Sequence, residues 1–143
     1  MNSLLFKLDK LLQLEYIAFD LYLRAGVVAS ELNYTKLSYS LNQQSQIRGT
    51  CFYRIYDFLR GKIPLTIFSD FQNVYFKDLS CFYTIIDNNL NLRLHNLNIL
   101  LSDTSKSGDD HITLILLKNH AETLKEQVLI KSICTHRAFT VMK

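Results

Sequence analysis

Residues 4–26 read LLFKLDKLLQLEYIAFDLYLRAG. Leu4, Leu8, Leu11, Glu15, Ala18 and Tyr22 recur there at steps of three and four, which places them on one stripe of an amphipathic α-helix. No helix breaker stands before Gly26, so the spacing predicts a helix from Ser3, as its N-cap, to about Ser30. A helix of this length buries its stripe only against partners of similar length. The stripe also carries a carboxylate at its middle, Glu15.

Working outward, a connector at 31–33 leads to a second helix running to about Arg60. Its stripe is Leu37, Leu41, Gln44, Arg48, Cys51, Ile55 and Phe58, and Gly61 closes it. Residues 62–77, KIPLTIFSDFQNVYFK, contain the only proline and no helical period. They are long enough to cross the length of a bundle. The third helix is predicted from Asp78 to Asp103 on the stripe Ile86, Leu90, Leu94, Leu97 and Leu101. The turn TSKSGDD follows, in which Asp109 or Asp110 caps the fourth helix, predicted to about Phe139. The fourth stripe is Ile112, Ile115, Asn119, Glu122, Glu126, Leu129 and Ile133. The prediction is an all-α chain, a single domain over 1–143, folded as a four-helix bundle with a long crossover between helices two and three.

Composition narrows the class. Sixteen Lys+Arg against thirteen Asp+Glu leave a net charge of +3, with the cations spread among acids, which disfavours a nucleic-acid partner. The three cysteines, Cys51, Cys81 and Cys134, have no ligand spacing and read as reduced core thiols of a cytoplasmic protein. Lys7, Asp9, Lys10 and Glu15 interrupt the apolar N-terminus, and no stretch approaches the ~18 uncharged residues of a membrane span, so neither export nor insertion is expected.

Glu15, Glu122 and Glu126 therefore point to mid-bundle, and inward carboxylates need a partner. Carboxylates converging from facing helices are how di-iron sites are built, because hard oxygen ligands suit a hard cation. Such a site also uses Glu-x-x-His pairs, and NQQSQIRGTCFY on helix two has neither acid nor histidine. The alternative is that these glutamates stand at a stripe's edge and meet water.

With these residues in view, the chain resembles the bacterial non-haem ferritins, and most closely the ferritin-like variant with an incomplete ferroxidase centre. The resemblance covers nearly the whole chain. LLFKLDKLLQLEYIAFDLYLRAG looks like the first ferritin helix, with Glu15 and Tyr22 at the family's glutamate–tyrosine spacing. LNQQSQIRGTCFYRIYDFL and TLILLKNHAETLKEQVLIKSI look like the second and fourth. The resemblance implies that Glu15, Glu122 and Glu126 match metal ligands. The family's bridging glutamate and histidine on helix two fall on Arg48 and Cys51. Its third-helix glutamate falls on Asn91, and its fourth-helix glutamine and a further acid on Thr123 and Lys125. The resemblance implies that Tyr22 matches the tyrosine beside this centre, and without iron it is expected to be a packed core tyrosine.

A guanidinium stays ionised at physiological pH and repels a cation, so ferroxidase activity is expected to be lost and iron at the centre to be weak or absent, with no haem. The substitution expected is that Arg48 takes the metal's place, pairing with Glu15 and with Glu122 or Glu126. The implied function is an iron-storage type subunit with a degenerate centre, in a homo-oligomer or a mixed ferritin oligomer. The chain ends at Lys143, soon after the fourth helix, so the family's short fifth helix is expected to be missing. A non-catalytic helical protein, structural or partner-binding, is the alternative.

Overall fold

A computed structural model describes residues 2–65 and 78–136. Four helices account for nearly all of them: α1 (Asn2–Glu31), α2 (Thr35–Leu59), α3 (Leu79–Ser107) and α4 (Asp110–His136). α1 starts at Asn2, so Ser3 lies inside its first turn instead of capping it. α4 is described to His136, and its predicted continuation to Phe139 lies outside the described residues.

The punctuation is local chemistry. Asn33 turns the chain between α1 and α2 at φ 65°, a left-handed conformation that asparagine tolerates better than most residues. Gly61 follows α2 at φ 83° and Gly108 ends α3 at φ 75°, where a Cβ would be strained. The Asp78 carboxylate accepts from the Cys81 backbone N–H at 2.9 Å and caps α3. That hydrogen bond holds its pKa below the usual carboxylate value. Asp109 accepts from the Ile112 N–H at 3.3 Å and does the same for α4.

α1 packs most extensively on α2, and α3 packs on both α1 and α4. Small residues bring α1 and α2 together: the Ser38 hydroxyl donates to the Gly26 carbonyl at 2.9 Å and the Ser45 hydroxyl to that of Phe19 at 3.1 Å. Lys7 at the start of α1 pairs with Asp103 near the end of α3 at 2.8 Å. At the opposite end, Leu32 and Tyr34 line a cleft with Asp78 and Leu79, so α3 begins beside the α1–α2 turn. α2 therefore finishes at one end of the bundle and α3 begins at the other, as a long crossover requires. Residues 66–77 of that connection lie outside the described ones.

The core is two apolar clusters. One holds Leu21, Leu41, Phe82, Ile86 and Ile130, the other Leu8, Leu11, Ile55, Leu97 and Leu116. Between them, at mid-height, every helix contributes polar side chains.

Candidate functional site: a buried arginine–glutamate layer

Each helix places one charged side chain in that layer: Glu15 from α1, Arg48 from α2, Arg93 from α3 and Glu126 from α4, all with 0% exposure. They arrive there because each keeps the phase of its helix's apolar stripe. Arg48 stands between Leu41 and Ile55 at seven-residue steps, and Arg93 lies three residues after Leu90 and four before Leu97. Two guanidinium groups and two carboxylates give a layer that is neutral when fully ionised.

Arg93 and Glu126 form the strongest contact, a fork in which Nη1 donates to Oε1 and Nη2 to Oε2, both at 2.6 Å. Arg93 Nε donates to Asn89 Oδ1 at 2.5 Å, and the Asn89 amide donates to the Leu14 carbonyl at 3.1 Å, which fixes the guanidinium plane. The Tyr22 hydroxyl donates to Glu126 Oε2 at 2.5 Å. Arg48 is held more loosely. Its Nη1 donates to Glu15 Oε1 at 3.0 Å and to Thr123 Oγ1 at 3.1 Å, and it stands 3.3 Å from Glu126 Oε1. Its Nε and Nη2 are buried without a hydrogen-bond partner among the described residues, as is Gln44 Oε1 one turn earlier.

The asymmetry carries into the titrations. Burial opposes ionisation of Glu126, yet Arg93, Arg48 and the Tyr22 hydroxyl outweigh it and hold the carboxyl below its ordinary value. Glu15 is equally buried, with Arg48 at 3.0 Å and Arg93 at 3.6 Å, and there burial prevails and raises the pKa. Burial and the Glu126 charge push the Tyr22 hydroxyl well above its usual range, so it stays a donor. Burial pushes the Cys51 thiol to about 12, which leaves it protonated at neutral pH.

Of the residues singled out from sequence, Glu15, Arg48, Glu126, Tyr22 and Thr123 meet in this layer, and Cys51 is buried beside it, its carbonyl accepting from Asn119 Nδ2 at 3.1 Å. Three do not meet there. Glu122 is half-buried on the flank of α4 and pairs with exposed Lys125 at 3.7 Å, so among the described residues Glu126 is the α4 carboxylate that reaches Arg48, beside the Thr123 hydroxyl. Asn91 is exposed on α3. The physical reason is helical phase: the buried face of α4 is Ile112, Leu116, Asn119, Thr123, Glu126, Ile130 and Ile133, one residue out of step at alternate turns from the predicted stripe. Arg93 and Asn89 were missed, although Arg93 is in phase with Leu90 and Leu97 and that spacing could have found it.

No family model matches the chain, and no curated protein matches it in sequence. Solved structures do match in three dimensions. A variant of PmFTN soaked in iron overnight superposes with a TM-score of 0.75 at 17% identity, over 95% of this chain and 88% of that one. The ferritin of Chlorobium tepidum superposes with a TM-score of 0.74 at 15% identity, over 93% and 83%. The fold is ferritin-like. Its bundle centre, however, does not fit a di-iron group. No group of three or more His, Cys, Asp or Glu among the described residues could hold a metal ion, and both central carboxylates are already engaged by guanidinium groups. What this ferritin-like centre does chemically is to join four helices through fixed charges in a site without exposure to water.

Proposed function

We propose that this chain is a ferritin-like subunit of the iron-storage type in which an arginine–glutamate layer stands in place of the ferroxidase centre. It does not oxidise iron itself and serves as a structural member of a homo-oligomer or of a mixed ferritin oligomer. One observation carries the reading: Arg48 and Arg93, fully buried, stand between Glu15 and Glu126 and satisfy the inward acids with guanidinium instead of metal. The ferritin-like fold supports the storage class, and iron then enters as cargo handled by the assembly.

Anaerobic Fe(II) titration followed by exposure to air, with absorbance and size-exclusion readouts, tests this. The expected outcome is a large assembly that acquires ferric absorbance no faster than buffer alone. Rapid oxidation abolished by Glu15→Ala or Glu126→Ala would refute the exchange of metal for arginine. No bound iron and no large assembly would leave a structural or partner-binding helical protein.

A further inference from the structure

A guanidinium offers acceptors two forks, the end-on pair Nη1/Nη2 and the side-on pair Nε/Nη2, and within each fork two N–H bonds run parallel. Arg93 engages both: its end-on fork holds Glu126 and its Nε reaches Asn89. In Arg48 the hydrogen bonds to Glu15 and Thr123 leave from Nη1. Its two donors without a partner among the described residues, Nε and Nη2, are the two halves of its side-on fork. Buried donors are almost always hydrogen-bonded, so an empty fork on a cation with 0% exposure points to an acceptor that the described residues do not supply.

The complementary lack is one turn away. Gln44, 8% exposed, has a buried Oε1 with no donor among the described residues. Four residues before each buried arginine therefore stands an amide: Asn89 before Arg93 and Gln44 before Arg48. In α3 that amide oxygen takes the arginine Nε directly, at 2.5 Å. In α2 the same two groups are both unpaired, on side chains whose Cβ atoms are about 5–6 Å apart. The helix that Arg48 reaches across to also leaves room, since α4 meets α2 far less closely than α1 does. Polar side chains span that seam: Arg54 Nη1 donates to Asn119 Oδ1 at 3.1 Å, Asn119 Nδ2 to the Cys51 carbonyl at 3.1 Å, and Arg48 Nη1 to Thr123 Oγ1 at 3.1 Å.

The occupant must accept two parallel N–H bonds and donate one hydrogen to an amide oxygen. A cation is repelled by the guanidinium. A halide accepts but gives Gln44 Oε1 nothing, and it adds a charge to a layer that two arginines and two glutamates already balance. Water does both, and about three hydrogen bonds are what a buried water makes. We propose that one resident water molecule bridges the side-on fork of Arg48 to Oε1 of Gln44. It fixes the guanidinium plane of Arg48 as Asn89 fixes that of Arg93, which makes Gln44 a positioning residue of the layer. The inference stands on atoms of α2 and does not depend on iron or on assembly.

A high-resolution crystal structure of the full chain at neutral pH tests this, alongside NMR of the same protein in solution. The expected density is one round peak within about 3.2 Å of Arg48 Nε, Arg48 Nη2 and Gln44 Oε1, with no anomalous signal when bromide replaces chloride. In solution the Arg48 Nε–H is expected to show a cross-relaxation peak to water. Gln44→Leu deletes the acceptor at similar volume, so both peaks are expected to be lost while circular dichroism stays unchanged. Should that variant fail to fold, the two measurements on the parent decide by themselves. A bromide peak assigns the site to an anion, with the Gln44 amide reversed so that its nitrogen faces the ion, and overturns the proposal. A direct hydrogen bond from Arg48 Nε to Gln44 Oε1, or another protein side chain seated on the fork, also overturns it. So does a water that keeps its place in Gln44→Leu, because Gln44 then holds nothing there.

Discussion

Arg93 and Arg48 have the same charge and burial but unequal surroundings. Arg93 uses Nε and both terminal nitrogens, on Asn89 and in the fork to Glu126. Among the described residues Arg48 hydrogen-bonds through Nη1 and leaves Nε and Nη2 unpartnered. Removing one member of a buried pair strands the other, at a cost of about 3–5 kcal/mol. Arg93→Met is expected to lose that much in urea unfolding, because Glu126 keeps only Arg48 at 3.3 Å and the Tyr22 hydroxyl. Arg48→Met is expected to lose less, by at least about 1 kcal/mol, since two of its donors have no side-chain or backbone partner to lose among the described residues. An equal or larger loss for Arg48→Met would contradict this account of the layer. Cys51 permits a second check at this scale. It is buried and protonated, whereas Cys81, expected in the core with it, is exposed in the first turn of α3. Iodoacetamide mapped by mass spectrometry should label Cys81 in the native protein and Cys51 only once the bundle unfolds. Glu15, Arg48, Glu126 and Tyr22 were legible from sequence because each falls on a stripe whose phase its apolar neighbours fix. Arg93 was not, because Leu94 beside it offers an equally apolar phase, and a charged residue is read as the solvated side by default.

At the scale of elements, the same ambiguity explains α4. Ile115 and Leu116, and again Leu129 and Ile130, are adjacent apolar pairs. Either member of each pair completes a heptad with Ile112, Asn119, Glu126 and Ile133, so periodicity alone does not say whether Glu122 or Thr123 points inward. The packed helix chooses Leu116, Thr123 and Ile130. The outer leucines Leu114, Leu117 and Leu124 blur the pattern further. The helix ends marked by Gly61 and Asp109 were legible because glycine and aspartate act locally, whereas α3 runs past the predicted Asp103, through residues 104–107 of the expected turn, before Gly108 stops it. Gly108 ends α3 at φ 75° with nothing within 4 Å of where a Cβ would lie, so its requirement is conformational and not steric. Gly108→Ala is expected to destabilise the fold by about 1 kcal/mol through that backbone strain alone. A denaturant midpoint unchanged from the parent would show that the α3–α4 turn accommodates a side chain without strain.

For the whole molecule, the layer's position matters as much as its contacts. It sits between the two apolar clusters, so protons taken up there act on the body of the bundle and not on a frayed end. Glu126 is held below its ordinary 4.5. Just below pH 4.5 the unfolded chain therefore carries a proton at this residue that the folded chain lacks, and stability falls as pH falls. Glu15 is held above 4.5, so just above that pH the folded chain keeps a proton that the unfolded chain releases, and stability falls as pH rises. Each single proton contributes a slope of at most about 1.4 kcal/mol per pH unit. Urea unfolding of the parent, Glu126→Gln and Glu15→Gln across about pH 3 to 7 separates the two groups, since the difference between each variant and the parent cancels the remaining acids. The expected result is that Glu126→Gln flattens the acid limb and Glu15→Gln flattens the limb above pH 4.5. If instead both variants flatten only the acid limb, Glu15 is stabilised as a carboxylate by Arg48 and Arg93 more strongly than its burial opposes it, and the two sides of the layer are electrostatically equivalent.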